Sequence, residues 1–129
     1  MLRRARVLLL LLALVLATAA GGCPQQREYG EAVPMIDGVQ QITLTVDRSG
    51  LHPNAILATS DRPLRIIYRN RSGAEHTLLV IDPEGEVVLT LPSVPGEERE
   101  GEMGLKHGLY LLRCSEQNHV NEDGDLQVR

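Results

Sequence analysis

The stretch "AILATSDRPLRIIYRNRSGAEHTLLVIDPEGEVVLTL" (residues 55–91) decides how the chain folds. It holds four short apolar runs, at 55–59, 64–69, 76–81 and 86–91. The breaks between them are "SDRP", "NRSGAE" and "DPEG". Pro83 and Gly85 stand at favourable turn positions in the last of these. Runs of this length, rich in Ile, Val, Leu and Thr and cut by turn residues, read as β-strands.

The pattern continues outward. "QITLTV" (41–46) alternates, with Ile42, Leu44 and Val46 on one face. "LYLLR" (109–113) follows the break "KHG", and "DLQV" (125–128) is the last run. Strands spaced by about 8–12 residues with Gly, Pro and Asp between them predict an all-β Greek-key sandwich or barrel. Residues 92–108 fit less well: "PGEERE" is strongly charged, and reads as an exposed edge strand or a loop. Phe and Trp are absent, so Leu, Ile and Val are expected to build the core.

The beginning of the sequence points to export. Arg3, Arg4 and Arg6 precede an apolar run from Val7 to Ala17, then small residues lead to Cys23. This order reads as a secretory signal over residues 1–22. The run is shorter than the roughly 20 residues a membrane span needs. Small residues before a cysteine resemble the bacterial lipobox, although Ala20 stands where leucine is usual. The expectation is a lipid on Cys23 that anchors the protein to a membrane; the other reading is an ordinary signal cleaved nearby that leaves Cys23 free. Residues 23–38, with Pro24, Gly30, Pro34 and Gly38, read as a tether, and residues 39–129 as the folded domain.

Charge and cysteine usage narrow the function. The whole sequence has 13 Lys and Arg against 17 Asp and Glu; without its first 22 residues the count is ten against 17, a net −7. No basic patch suggests nucleic acid. The chain has two cysteines, Cys23 and Cys114. If Cys23 carries lipid, Cys114 has no second cysteine in the chain to bridge to. An exported thiol then serves as an inert core residue, an intermolecular disulfide or a metal thiolate.

Three candidate ligands fall at strand ends. His76 opens one strand, Cys114 closes another, and His119 lies in the loop that follows. Loops gathered at one end of a Greek-key sandwich bring such residues together. A thiolate and two imidazoles suit a soft or borderline ion, and a His₂Cys set with a weak axial ligand is the signature of mononuclear copper sites. Cys, two His and a carboxylate also suit tetrahedral zinc. His52, beside Pro53, and His107, in "KHG", read as surface residues, with His52 a minor candidate for a fifth contact.

The order and spacing of these pieces resemble the cupredoxin family across residues 39–128. Leu51, Pro53 and Ile56 match its apolar-x-Pro entry to a strand; Asn70 matches the strand end before the loop to the first histidine ligand, His76. Pro95, Gly96, Glu97, Gly108, Tyr110 and Cys114 are similar to its "PGE…G-x-Y-x-x-x-C" approach to the cysteine ligand. "CSEQNH" gives its Cys-x₄-His spacing. The resemblance implies one copper held by His76, Cys114 and His119, and a role in single-electron transfer or copper handling with a redox or copper-delivery partner.

One departure matters. Family members that transfer electrons usually carry methionine two residues before a glycine after the second histidine; here Glu122 stands there, before Gly124. Met103 and Met35 lie elsewhere. Either Glu122, a backbone carbonyl or water supplies a harder axial oxygen, or Glu122 is a solvated surface carboxylate beside a weakened site. The missing methionine also leaves open a metal-free binding or assembly module, and catalysis at an open copper position. The binuclear copper loop of cytochrome oxidase is excluded, because it needs a second cysteine and a methionine.

Overall fold

A computed structural model of the chain describes residues 32–115 and 123–129. Ten strands run through them: β1 (Met35–Ile36), β2 (Val39–Asp47), β3 (Gly50–His52), β4 (Ala55–Ala58), β5 (Leu64–Asn70), β6 (His76–Ile81), β7 (Val87–Ser93), β8 (Glu98–Met103), β9 (Gly108–Cys114) and β10 (Gly124–Val128). They form two mixed sheets. One has the order β1-β2-β5-β8, with β3 also paired to β2; the other has the order β4-β10-β9-β6-β7. The β2–β5 and β4–β10 pairs are parallel. The chain moves repeatedly from one sheet to the other, as a Greek-key sandwich requires. Among the described residues there is no helix.

Period-two alternation puts one apolar face of each sheet inside. Ile42, Leu44 and Val46 of β2 and Leu64, Ile66 and Tyr68 of β5 face Leu78 and Val80 of β6, Tyr110 and Leu112 of β9, and Leu126 and Val128 of β10. The core is not purely aliphatic. Tyr68 and Tyr110 are its largest fully buried side chains, and Met103 joins it. The Tyr110 hydroxyl accepts a hydrogen bond from the Lys106 backbone N–H at 3.0 Å. That is the geometry of a tyrosine corner, which gives a buried phenol a partner where the chain turns into a strand.

Within the charged segment 92–108, Glu98–Met103 forms an edge strand, β8. β8 pairs antiparallel with β5, and its outward Glu98 and Glu102 reach Arg69 at 2.8 Å and Arg65 at 3.1 Å. Its inner face reads poorly from sequence because Gly101 faces inward. The Leu89 and Leu91 side chains occupy the space a Cβ would need there, at 2.7 and 3.1 Å. Residues 32–38, assigned by composition to the tether, pack on the sandwich. Met35 and Ile36 pair with β2, Ala32 bridges to Leu57, and Val33 is buried. Residues 1–31, which include the expected signal and Cys23, lie outside the described residues.

Replacing Tyr110 by Phe removes the acceptor for Lys106 N–H while keeping the ring. We expect a loss of about 1–2 kcal/mol in urea unfolding, with an unchanged strand signature in circular dichroism.

Candidate metal centre

The site begins with a turn and an amide. β5 ends at Asn70, which is fully buried. Its side-chain NH₂ donates to the Ala74 carbonyl at 2.8 Å and to the Ser93 carbonyl at 3.0 Å. Its Oδ1 accepts the Ser72 backbone N–H at 2.9 Å and the Ser72 hydroxyl at 2.8 Å. One side chain therefore shapes the loop 71–75 and ties it to the end of β7. The Asn70 backbone adds two links to the next turn: its N–H donates to the Glu97 carbonyl, and its carbonyl accepts Gly96 N–H. In that turn Pro95 precedes Gly96, whose φ of 79° is the left-handed value a type II turn demands.

The loop delivers His76 as the first residue of β6. Alternation points its ring inward with Leu78 and Val80, and only 3% of the residue is exposed. Cys114 closes β9 on the inward parity of Tyr110 and Leu112, and is half-buried. β6 and β9 pair antiparallel, with Cys114 opposite Leu78. His76 and Cys114 are thus diagonal neighbours on one face, a separation within reach of long side chains. The His76 Nδ1 lies 3.8 Å from the Cys114 sulfur. The other ring nitrogen, Nε2, lies 2.6 Å from the Ser72 hydroxyl.

This spacing fits a shared ion. With bonds of about 2.0 Å to nitrogen and 2.3 Å to sulfur, an N···S separation of 3.8 Å corresponds to an angle of about 125° at the ion. That value suits trigonal or distorted tetrahedral coordination. Among the described residues no group of three or more His, Cys, Asp or Glu gathers as a metal site. The remaining expected ligands, His119 and Glu122, lie outside the described residues. The residues flanking that segment are placed: Ser115 N–H donates to the Thr77 carbonyl, and Gly124 of β10 stands opposite Leu112. Both flanking residues stand at the end of the sandwich where His76 and Cys114 meet.

Other candidates lie elsewhere. His52 belongs to a surface cluster on the β2–β3 hairpin, its Nε2 2.7 Å from the Ser49 hydroxyl and 3.3 Å from Asp47. Two hydrogen bonds from Ser49 hold the Asp47 carboxyl below the usual carboxylate range, with His52 a smaller contributor. His107 meets the Ser60 hydroxyl at 3.0 Å. Met103 is in the core and Met35 is exposed on β1. The sequence reading missed Ser72. Its signal was the Asn-x-Ser order of residues 70–72 at a strand end, which favours a side-chain-capped turn.

No protein-family model matches this sequence, and no curated protein matches it. Solved structures do. The metal-binding domain of the Cu(I)-exporting P-type ATPase CopA of Streptococcus pneumoniae D39 is 20% identical with a TM-score of 0.60, over 76% of this chain and 93% of that one. Auracyanin from Roseiflexus castenholzii is 11% identical with a TM-score of 0.62, over 69% and 96%. Auracyanin A, a "blue" copper protein from Chloroflexus aurantiacus, is 14% identical with a TM-score of 0.56, over 69% and 99%. At these identities the shared property is the fold, and the fold of this chain is cupredoxin-like.

Truncating Asn70 to Ala would strip four hydrogen bonds from a buried turn. We expect a loss of about 3 kcal/mol in chemical denaturation. The loss should be accompanied by large shifts of the His76 ring resonances and small ones for the distant His107 ring.

Proposed function

We propose that this chain is an exported, membrane-anchored copper protein that works in single-electron transfer or copper handling. The observation that carries the proposal is the 3.8 Å approach of His76 Nδ1 to Cys114 Sγ at one end of a cupredoxin-like sandwich. The residues that would hold the ion are His76, Cys114 and His119, with an oxygen from Glu122, a backbone carbonyl or water taking the place of the usual methionine. Copper, when bound there, supplies a one-electron couple whose oxidised state is favoured by a harder axial oxygen.

The protein's own contribution is rigidity and donor chemistry. Cys114 offers a thiolate, a strong donor to soft ions. His76 opens β6 directly after a loop braced by Asn70, which limits how far its nitrogen would need to move. The structural neighbours support the reading in kind: one is crystallised with Cu(I), and another is described as a blue copper protein. A lipid on Cys23 and the following segment would keep the domain beside membrane partners, where tethering raises the effective concentration.

Titrating the metal-free full chain with copper tests this. The expected result is one copper per chain and an intense thiolate-to-copper charge-transfer band in the visible spectrum of the Cu(II) form. Cys114→Ser should abolish the band. A chain that binds no copper under reducing conditions would be a fold-only binding module. A chain that keeps zinc against excess copper would be a zinc protein. Either result contradicts the proposal.

A further inference from the structure

We propose that Ser72 is a positioning residue that fixes the tautomer and orientation of the His76 ring, a role that rests on reading His76 as a ligand through Nδ1. The Ser72 hydroxyl has one proton and two lone pairs. Four groups surround it: Asn70 Oδ1 at 2.8 Å, the Ala74 carbonyl at 3.0 Å, the Ala74 N–H at 3.2 Å and His76 Nε2 at 2.6 Å. The Asn70 amide orientation is settled, because its NH₂ group serves two carbonyls and its oxygen receives the Ser72 N–H. Asn70 Oδ1 and the Ala74 carbonyl are therefore acceptors only.

The proton count then selects one arrangement. The hydroxyl proton goes to Asn70 Oδ1, the shorter of the two oxygen contacts, and the lone pairs receive Ala74 N–H and His76 Nε2–H. That leaves one oxygen–oxygen contact, to the Ala74 carbonyl, without a proton; donation to Nε2 instead would leave both without one. An imidazole protonated at Nε2 carries its lone pair on Nδ1, the nitrogen that faces the Cys114 sulfur. Partners of this kind on the outer nitrogen of a ligand histidine fix its tautomer and orient its ring. Asn70 thereby acts on the ligand at second hand: it holds Ser72, and Ser72 holds the ring.

Long-range proton–nitrogen correlation spectra of the metal-free, ¹⁵N-labelled full chain, recorded with the ring neutral, test this directly. The expected wild-type result is His76 protonated at Nε2. Ser72→Ala should mix the two tautomers and weaken Cu(I) binding about tenfold in competition with a chelator of known affinity. Ser72→Thr, which keeps the hydroxyl, should retain both the tautomer and the affinity. An Nδ1-protonated ring in the wild type overturns the assignment. So does a Ser72→Ala chain with wild-type tautomer and affinity. Should Ser72→Ala fail to fold, the wild type and Ser72→Thr decide: Nε2 protonation in both supports the role, and Nδ1 protonation in either refutes it. A wild-type chain with the expected tautomer that binds no copper refutes the metal site and leaves the role of Ser72 intact.

Discussion

The loop that delivers His76 to the candidate site depends on one buried amide. Removing a carboxamide from water is costly unless its hydrogen bonds are replaced. Asn70 satisfies both ends of its amide with groups from two different elements. Such a network is worth most when complete, because each unsatisfied member would sit in a low-dielectric interior. Among the described residues no buried side-chain nitrogen or oxygen lacks a partner. The loop before His76 is therefore held by a closed set of hydrogen bonds, although it is short and carries Gly73.

The sandwich supplies the other half of the constraint. Leu78, Val80 and Leu112 are buried on the two strands that carry the donors, so β6 and β9 cannot slide without moving the core. A slip of one residue would turn His76 or Cys114 to the outer face. The separation of nitrogen and sulfur is thus fixed by packing as well as by the loop. On the proposed reading, a donor pair fixed before any ion arrives suits chemistry in which the ion changes charge while its surroundings stay still.

The strands were legible because apolar alternation and turn residues agree in each of them; "HTLLVI" is the observed β6 without adjustment. Less legible features had competing physics. β8 shows one buried side chain in its last residue, and its glycine faces inward to admit Leu89 and Leu91. The two tyrosines entered the core because each buries a large ring, and Tyr110 also finds a backbone partner. Residues 32–38 look like a tether by composition, yet Val33 and the short β1 hairpin cover the sheet edge. At the site, residue type and spacing pointed to His76 and Cys114 as partners. Ser72 was hidden because its role comes from hydrogen-bond counting, which needs coordinates. His119, Glu122 and Cys23 lie outside the described residues and remain part of the proposal.

Copper K-edge X-ray absorption on the full chain loaded with one equivalent of Cu(I) bears most directly on the central claim. It counts sulfur and nitrogen neighbours without reference to colour. The account predicts one short copper–sulfur distance, about the 2.3 Å of a metal–thiolate bond, together with imidazole scattering, and loss of the sulfur shell in Cys114→Ser. A first shell made only of oxygen and nitrogen, unchanged by that substitution, would contradict it.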